Sequence, residues 1–226
     1  MPFPAEIPVD VYSGINLNLW FVAVVLQFVC SGLIFIRAKS TKDVQILRSL
    51  LHGYGVFALS MGINRIFFLW AYLTPSWENY YLFLGIGYVF ATGALVPVIF
   101  VLEKYFTKKT HFIFTVLTGI LVIFSLISIF LPDELLSIRS LLQILGFGTS
   151  LIWFFLYFYI IRITTGQPRK KAIIIVFAVV LAAIGFTIDS EMVISMQIIP
   201  YYIAPILYIV GVLILTMALF KRDGLG

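Results

Sequence analysis

The chain has 226 residues, 62% of them hydrophobic and only 11% charged. Soluble domains carry about 25% charged residues, so this composition excludes a water-soluble globule and makes lipid the expected solvent. A single cysteine, Cys30, excludes an intrachain disulfide and any cysteine-built zinc site.

The first ten residues, MPFPAEIPVD, hold Glu6 and Asp10 and no basic residue. That pattern is unlike a secretory signal peptide, so the first apolar run is expected to remain as a transmembrane helix. A bilayer core requires about 20 apolar residues per helix. Seven runs approach that length, at approximately 17–36, 49–73, 80–102, 112–131, 141–161, 172–190 and 196–220. They are continuous rather than alternating, which excludes a β-barrel, and short connections between them leave one domain, 1–226.

Polar residues punctuate these runs in chain order. The first contains Trp20 and Gln27, and a basic loop with Arg37, Lys39, Lys42 and Arg48 follows. The second begins near His52 and carries Asn64, Arg65 and Trp70; Glu78 follows it. The third is rich in small residues, favouring close helix packing, and holds Pro97, which kinks a helix. Lys104, Lys108, Lys109 and His111 separate it from the fourth, after which come Asp133 and Glu134. The fifth holds Gln143 and precedes Arg162, Arg169, Lys170 and Lys171. The sixth ends at Asp189 and Glu191. The seventh has Gln197, Tyr201, Tyr202 and Pro205 near its start and is followed by Lys221 and Arg222.

Charge therefore alternates from one connection to the next, and 13 of the 15 Lys and Arg lie in the odd-numbered loops and the tail. By the positive-inside rule these face the cytoplasm. The expectation is an all-α integral membrane protein: a seven-transmembrane-helix bundle of the cell membrane, N-terminus outside and C-terminus cytoplasmic. The net charge of +5 then reports topology and attraction of the cytoplasmic loops to anionic lipid heads, and nucleic acid is not an expected partner.

The first three runs echo the last three. Arg37 with Arg162, Gly62 with Gly185, and Lys104 with Lys221 correspond at offsets drifting from 125 to 117 residues. Two hydrophobic triplets with basic inner loops also look alike without common origin, so a 3+1+3 parallel repeat is one reading of the pattern.

Arg65 stands inside the second run. A charge within a membrane is costly and faces a partner or water. With a 1.5 Å rise per residue, Arg65 lies about 24 Å above Ser49, and Asp189 about 26 Å above Ala172. Equal depth makes Asp189 or Glu191 the expected partner of Arg65, with Asn64 close by. The competing reading is a side chain that snorkels to the headgroups. Trp70 and Tyr201 fall at the same outer level, either in an aromatic belt or over an outward-facing pocket. Arg65, Asn64, Asp189, Glu191, Trp70 and Tyr201 therefore form the candidate set, as ligand-binding residues or as a buried ion pair with its neighbours. His52 and His111, at the inner ends of two helices, are the only histidines. They are the sole candidates for axial haem ligation, set against ordinary interfacial histidines, and nothing else in the chain calls for a cofactor or metal.

Metalloprotease, nucleophile-elbow and phosphate-loop motifs are absent, so no catalytic residue is expected. Helix count and orientation resemble the general plan of rhodopsins, G-protein-coupled receptors and PQ-loop or SWEET sugar transporters. The residues those families use are missing: no lysine occurs between Met196 and Phe220, the third run ends without Asp-Arg-Tyr, and Gln167–Pro168 reverses the Pro-Gln order. Two functional expectations remain. One is a sensor, receptor-like module or complex subunit with a protein partner at the cytoplasmic face. The other is a small-solute transporter whose path runs between the two triplets.

Overall fold

The computed structural model describes residues 14–41, 44–74, 77–107, 110–131, 135, 138, 141–142, 145–146, 148–189 and 200–220. Among them the long elements are helices: α1 (Gly14–Ser40), α2 (Gln45–Leu73), α3 (Trp77–Ala94), α4 (Val96–Phe106), α5 (Ile113–Ile129), α6 (Gly148–Ile163), α7 (Gly166–Ile188) and α8 (Ile203–Phe220). Five stretches are long and apolar enough to cross a membrane: α1, α2, the run Asn79–Phe106 made by α3 and α4, α7 and α8. Helices α5 and α6 are apolar but shorter, at 17 and 16 residues. The chain is a helical, multi-pass membrane protein.

Lipid as solvent is written in the helix faces. Along α1 the buried stripe is Asn16, Trp20, Ala23, Gln27, Ser31 and Ile34, while Phe21, Val25, Val29 and Leu33 are exposed. The polar side chains turn inward and the aliphatic ones outward, the reverse of a helix on a water-soluble protein. Exposed apolar surface of this extent, continuing over Ile113, Phe130, Leu151, Phe155 and Phe158, is what a bilayer covers.

The break between α3 and α4 falls where Pro97 stands. Proline offers no amide hydrogen, and its ring crowds the carbonyl four residues back. The regular pattern resumes with Ile99 N–H donating to the Leu95 carbonyl at 2.9 Å. Gly53 of α2 fits against this kink; a Cβ there would lie 3.3 Å from the Pro97 oxygen.

Neighbouring helices pack in chain order, α1 on α2, α2 on α3, α3 on α5, α5 on α6, α6 on α7 and α7 on α8, and α8 returns to α1, closing a ring. Helix α4 packs against α2, α5 and α6. The α7–α8 seam is the tightest. A Cβ on Gly185 would lie 2.6 Å from the Ala204 oxygen, and one on Gly211 would lie 2.7 Å from the Ala178 oxygen. Two glycines thus bring the backbones into contact from opposite sides, as packing in lipid favours.

One further contact ties α4 to the start of α5. Helix α5 begins after Phe112, whose left-handed backbone (φ 63°) provides no side-chain cap. Buried Glu103 of α4 supplies it instead. Its Oε1 accepts from Phe114 N–H at 3.0 Å and Thr110 Oγ1 at 2.7 Å, and its Oε2 accepts from Thr115 N–H at 2.6 Å. A carboxylate at a helix N-terminus satisfies orphan amides and opposes the positive end of the helix dipole.

Candidate functional site: a caged ion pair above a central cavity

Arg65 projects from α2 toward Asp189, which ends α7. Arg65 Nη1 lies 2.7 Å from Asp189 Oδ2, and both side chains are buried. The other carboxylate oxygen accepts a hydrogen bond from the Trp20 indole N–H at 3.1 Å. Three helices therefore converge on one carboxylate.

Aromatic rings enclose the guanidinium. Its Cζ lies 3.7 Å from the ring centroid of Trp20, 4.6 Å from Phe186, 5.2 Å from Tyr208 and 5.7 Å from Phe68. Ring faces attract a cation, the more so when water is excluded. Arg65 Nε and Nη2 have no hydrogen-bond partner among the described residues, so ring faces and the single carboxylate together replace the lost hydration. The pair is neutral as a unit, which makes burial of two charges in a bilayer tolerable.

The remaining candidates separate. Asn64 is fully buried but faces α3, donating from Nδ2 to the Gly87 carbonyl at 2.8 Å. Trp70 is 52% exposed on the outer surface of α2, edge-on to Phe67 at 5.6 Å, away from the ion pair. Tyr201 is half-buried in the turn before α8. Glu191 lies outside the described residues, as do Gln143 and Gln197. His52 donates from Nδ1 to the Arg48 carbonyl at 2.8 Å, and His111 is exposed in the turn before α5. Among the described residues no group of three or more His, Cys, Asp or Glu is placed to hold a metal.

The cage rings of Tyr208 and Phe186 also wall a cavity of about 230 Å³ inside the ring of helices. Gln27 of α1, Met61 of α2, Thr92 of α3 and Trp153 of α6 complete its sides. The wall is mostly hydrocarbon, and no charged side chain lines it. Trp153 packs on Tyr157 with ring centroids 4.4 Å apart, and the Tyr157 hydroxyl hydrogen-bonds the hydroxyl of Tyr54 on α2. An aromatic chain thus leads from the cavity wall to α2.

Trp20, Tyr208, Phe186 and Trp153 are the residues that sequence reasoning does not single out for this site. A tryptophan near the end of a span is expected in the interfacial belt, yet Trp20 is 1% exposed. Its depth in the first span matches that of Arg65, which is the one signal in the sequence for their meeting.

Comparison with protein-family models, curated proteins and solved structures finds no match. The geometry of cage and cavity therefore carries the functional reading.

Proposed function

We propose that this chain is a non-enzymatic, receptor-like membrane module of seven spans, with α3 and α4 forming one of them. It receives a small, mostly apolar molecule in the cavity at the centre of its ring and passes the event to a protein partner at the cytoplasmic face. The observation that carries this reading is the 230 Å³ cavity beneath a sealed, neutral ion pair. Concave, largely apolar pockets between the helices of a bundle are preferred ligand sites. The contact from Trp153 through Tyr157 to Tyr54 supports a route by which the cavity influences α2, whose first turns adjoin the basic loops. The charge alternation supports N-terminus outside, with those loops in the cytoplasm.

A small-solute carrier with a 3+1+3 arrangement is the second reading. One observation favours it: Arg65 and Asp189 join α2 and α7, the two helices that such a repeat would make equivalent.

One experiment separates them. Protein extracted in mild detergent is examined by native mass spectrometry for a bound small molecule, which is then added to sealed proteoliposomes. The receptor reading expects one equivalent bound, displacement by Ala91→Phe in the cavity wall, a changed distance between spin labels at the inner ends of α2 and α7, and no accumulation in the lumen. Saturable uptake into the vesicles would replace it with the carrier.

A further inference from the structure

We infer that the cavity opens sideways, between α6 and α7 in the outer half of the bilayer, and holds the end of an acyl chain from an outer-leaflet lipid. This rests on the use of the cavity proposed above and names the class of molecule that fills it.

One edge of α7 shows the opening. Ala172, Val176, Val179, Ala183 and Thr187 recur at three- and four-residue spacing, which places them along one side of the helix. Toward the inner end this edge is covered: Ala172 is buried, and Val176 and Val179 are half-buried. Ala183 and Thr187 are exposed, yet both line the cavity. The covering helix is α6, which packs on α7 from the short inner turn between Ile163 and Gly166. The outer approach to α6 leans the other way. A Cβ on Gly146, just before α6, would lie 2.5 Å from Thr92 Cγ2 of α3 and 2.5 Å from Ser125 Oγ of α5. The chain entering α6 is thus held on α3 and α5, and the outer part of the α7 edge stands uncovered.

Depth decides what meets this mouth. At 1.5 Å per residue, Ala183 and Thr187 lie about 17 and 23 Å above Ala172, inside a hydrocarbon core about 30 Å thick. With the basic loops in the cytoplasm, that is the outer half. The medium at the mouth is therefore lipid tails, not water.

The wall suits such a tail. No side chain on it is charged. Gln27 Oε1, Trp153 Nε1 and the Tyr208 hydroxyl oxygen are sealed from contact, so these residues offer the cavity their hydrocarbon. Thr92 Oγ1 donates to the Tyr88 carbonyl and Thr187 Oγ1 to the Ala183 carbonyl, each at 2.9 Å. Thr149 and Ser150 add hydroxyls of the kind that return their hydrogen to their own helix. A polar ligand would give up its hydration for few partners. Size sets the length. A cavity of about 150 Å³ accepts the six carbons of benzene, so the 230 Å³ here admits about nine carbons: the end of a chain, with its headgroup left outside. An empty cavity forfeits dispersion contacts along its wall, and an adjoining tail restores them without any transfer from water.

The test reconstitutes the full-length protein in phosphatidylcholine vesicles containing a trace of the same lipid with a diazirine near the end of one acyl chain. After irradiation, labelled residues are mapped by digestion and mass spectrometry. The expected result is label on Thr92, Leu95 and Val212, which are buried wall residues beyond reach of the surrounding bilayer, as well as on lipid-facing Phe21 and Phe155. In Ala183→Trp, which plugs the mouth, the wall label is lost and the label on Phe21 is unchanged. Wall label that persists in Ala183→Trp overturns the opening between α6 and α7. Label confined to lipid-facing residues of the wild-type protein overturns the inference as a whole. In that event a non-lipid molecule displaced by Ala91→Phe leaves the receptor reading intact, and the lack of any such molecule ends both. The wild-type map is decisive even where Ala183→Trp fails to fold.

Discussion

Trp20 engages both members of the ion pair at once: its ring lies 3.7 Å under the Arg65 guanidinium carbon, and its indole N–H reaches Asp189 at 3.1 Å. One side chain from α1 thereby locks α2 to α7. The arrangement gives the charged pair what water would otherwise supply, a second donor for the carboxylate and a polarisable face for the cation.

Breaking the pair from one side should be worse than removing it. Arg65→Leu leaves a buried carboxylate, and Asp189→Leu leaves a buried guanidinium; each should destabilise the protein by about 3–5 kcal/mol. The double variant Arg65→Met/Asp189→Leu should recover most of that loss, because no charge remains uncompensated. Trp20→Phe should cost about 1–3 kcal/mol, from the lost hydrogen bond and weaker ring contact. Thermal unfolding in one detergent reads all four. A double variant less stable than both singles would contradict the account.

The α7–α8 seam predicts a sharp contrast among glycines. Gly185→Ala and Gly211→Ala each place a methyl within 2.7 Å of partner backbone, so the helices must part. The expected loss is about 1–3 kcal/mol for each, seen as a lower melting temperature. Gly93 has nothing within 4 Å of the same position, so Gly93→Ala should be neutral or slightly stabilising through helix propensity. Equal melting temperatures across the three variants would deny the close approach.

How much of this is legible in the sequence depends on which coordinate is asked for. Depth is legible, because the rise per residue is constant and each span has one end at a basic segment; Arg65 and Asp189 lie in two spans that both start from such a segment, which is how they fall at one level. Rotation about the helix axis is legible only within one helix. Trp70 is five residues past Arg65, about 140° round the helix, and accordingly faces outward. Which rings from other helices meet the guanidinium depends on packing between spans, and no spacing encodes that, so the sequence does not single out Tyr208. Glu103 is hidden for another reason. It sits among lysines in a loop that reads as basic, and its role arises only once Phe112 leaves α5 uncapped. The seven-run pattern stands in the fold as five long apolar stretches and two shorter helices, and the third run is divided near Pro97.

Glu103 should matter more than its charged neighbour. Glu103→Gln keeps one oxygen but turns an NH₂ group toward donors that need an acceptor. The expected loss is about 1.5–3 kcal/mol, the range for hydrogen bonds to a charged group. Lys104, exposed on the same turn, should tolerate Lys104→Gln within about 0.5 kcal/mol. Denaturant or thermal titrations of the two variants check this, and comparable losses would deny Glu103 its capping role.

The orientation can be read with a single thiol reagent because the native cysteine is out of reach. Cys30 is 3% exposed, so the wild-type protein should remain unlabelled by a membrane-impermeant maleimide on intact cells and after permeabilisation. Lys39, at the end of α1, and Asn79, in the first turn of α3, are both exposed and lie at opposite ends of the bundle. With basic loops held in the cytoplasm, Asn79→Cys should react on intact cells. Lys39→Cys should react only once the membrane is opened. The reverse pattern would invert the topology, placing the ion pair near the inner face and the loops around Arg37 and Arg162 outside. It would also leave the cytoplasmic partner without the basic surface it is proposed to meet.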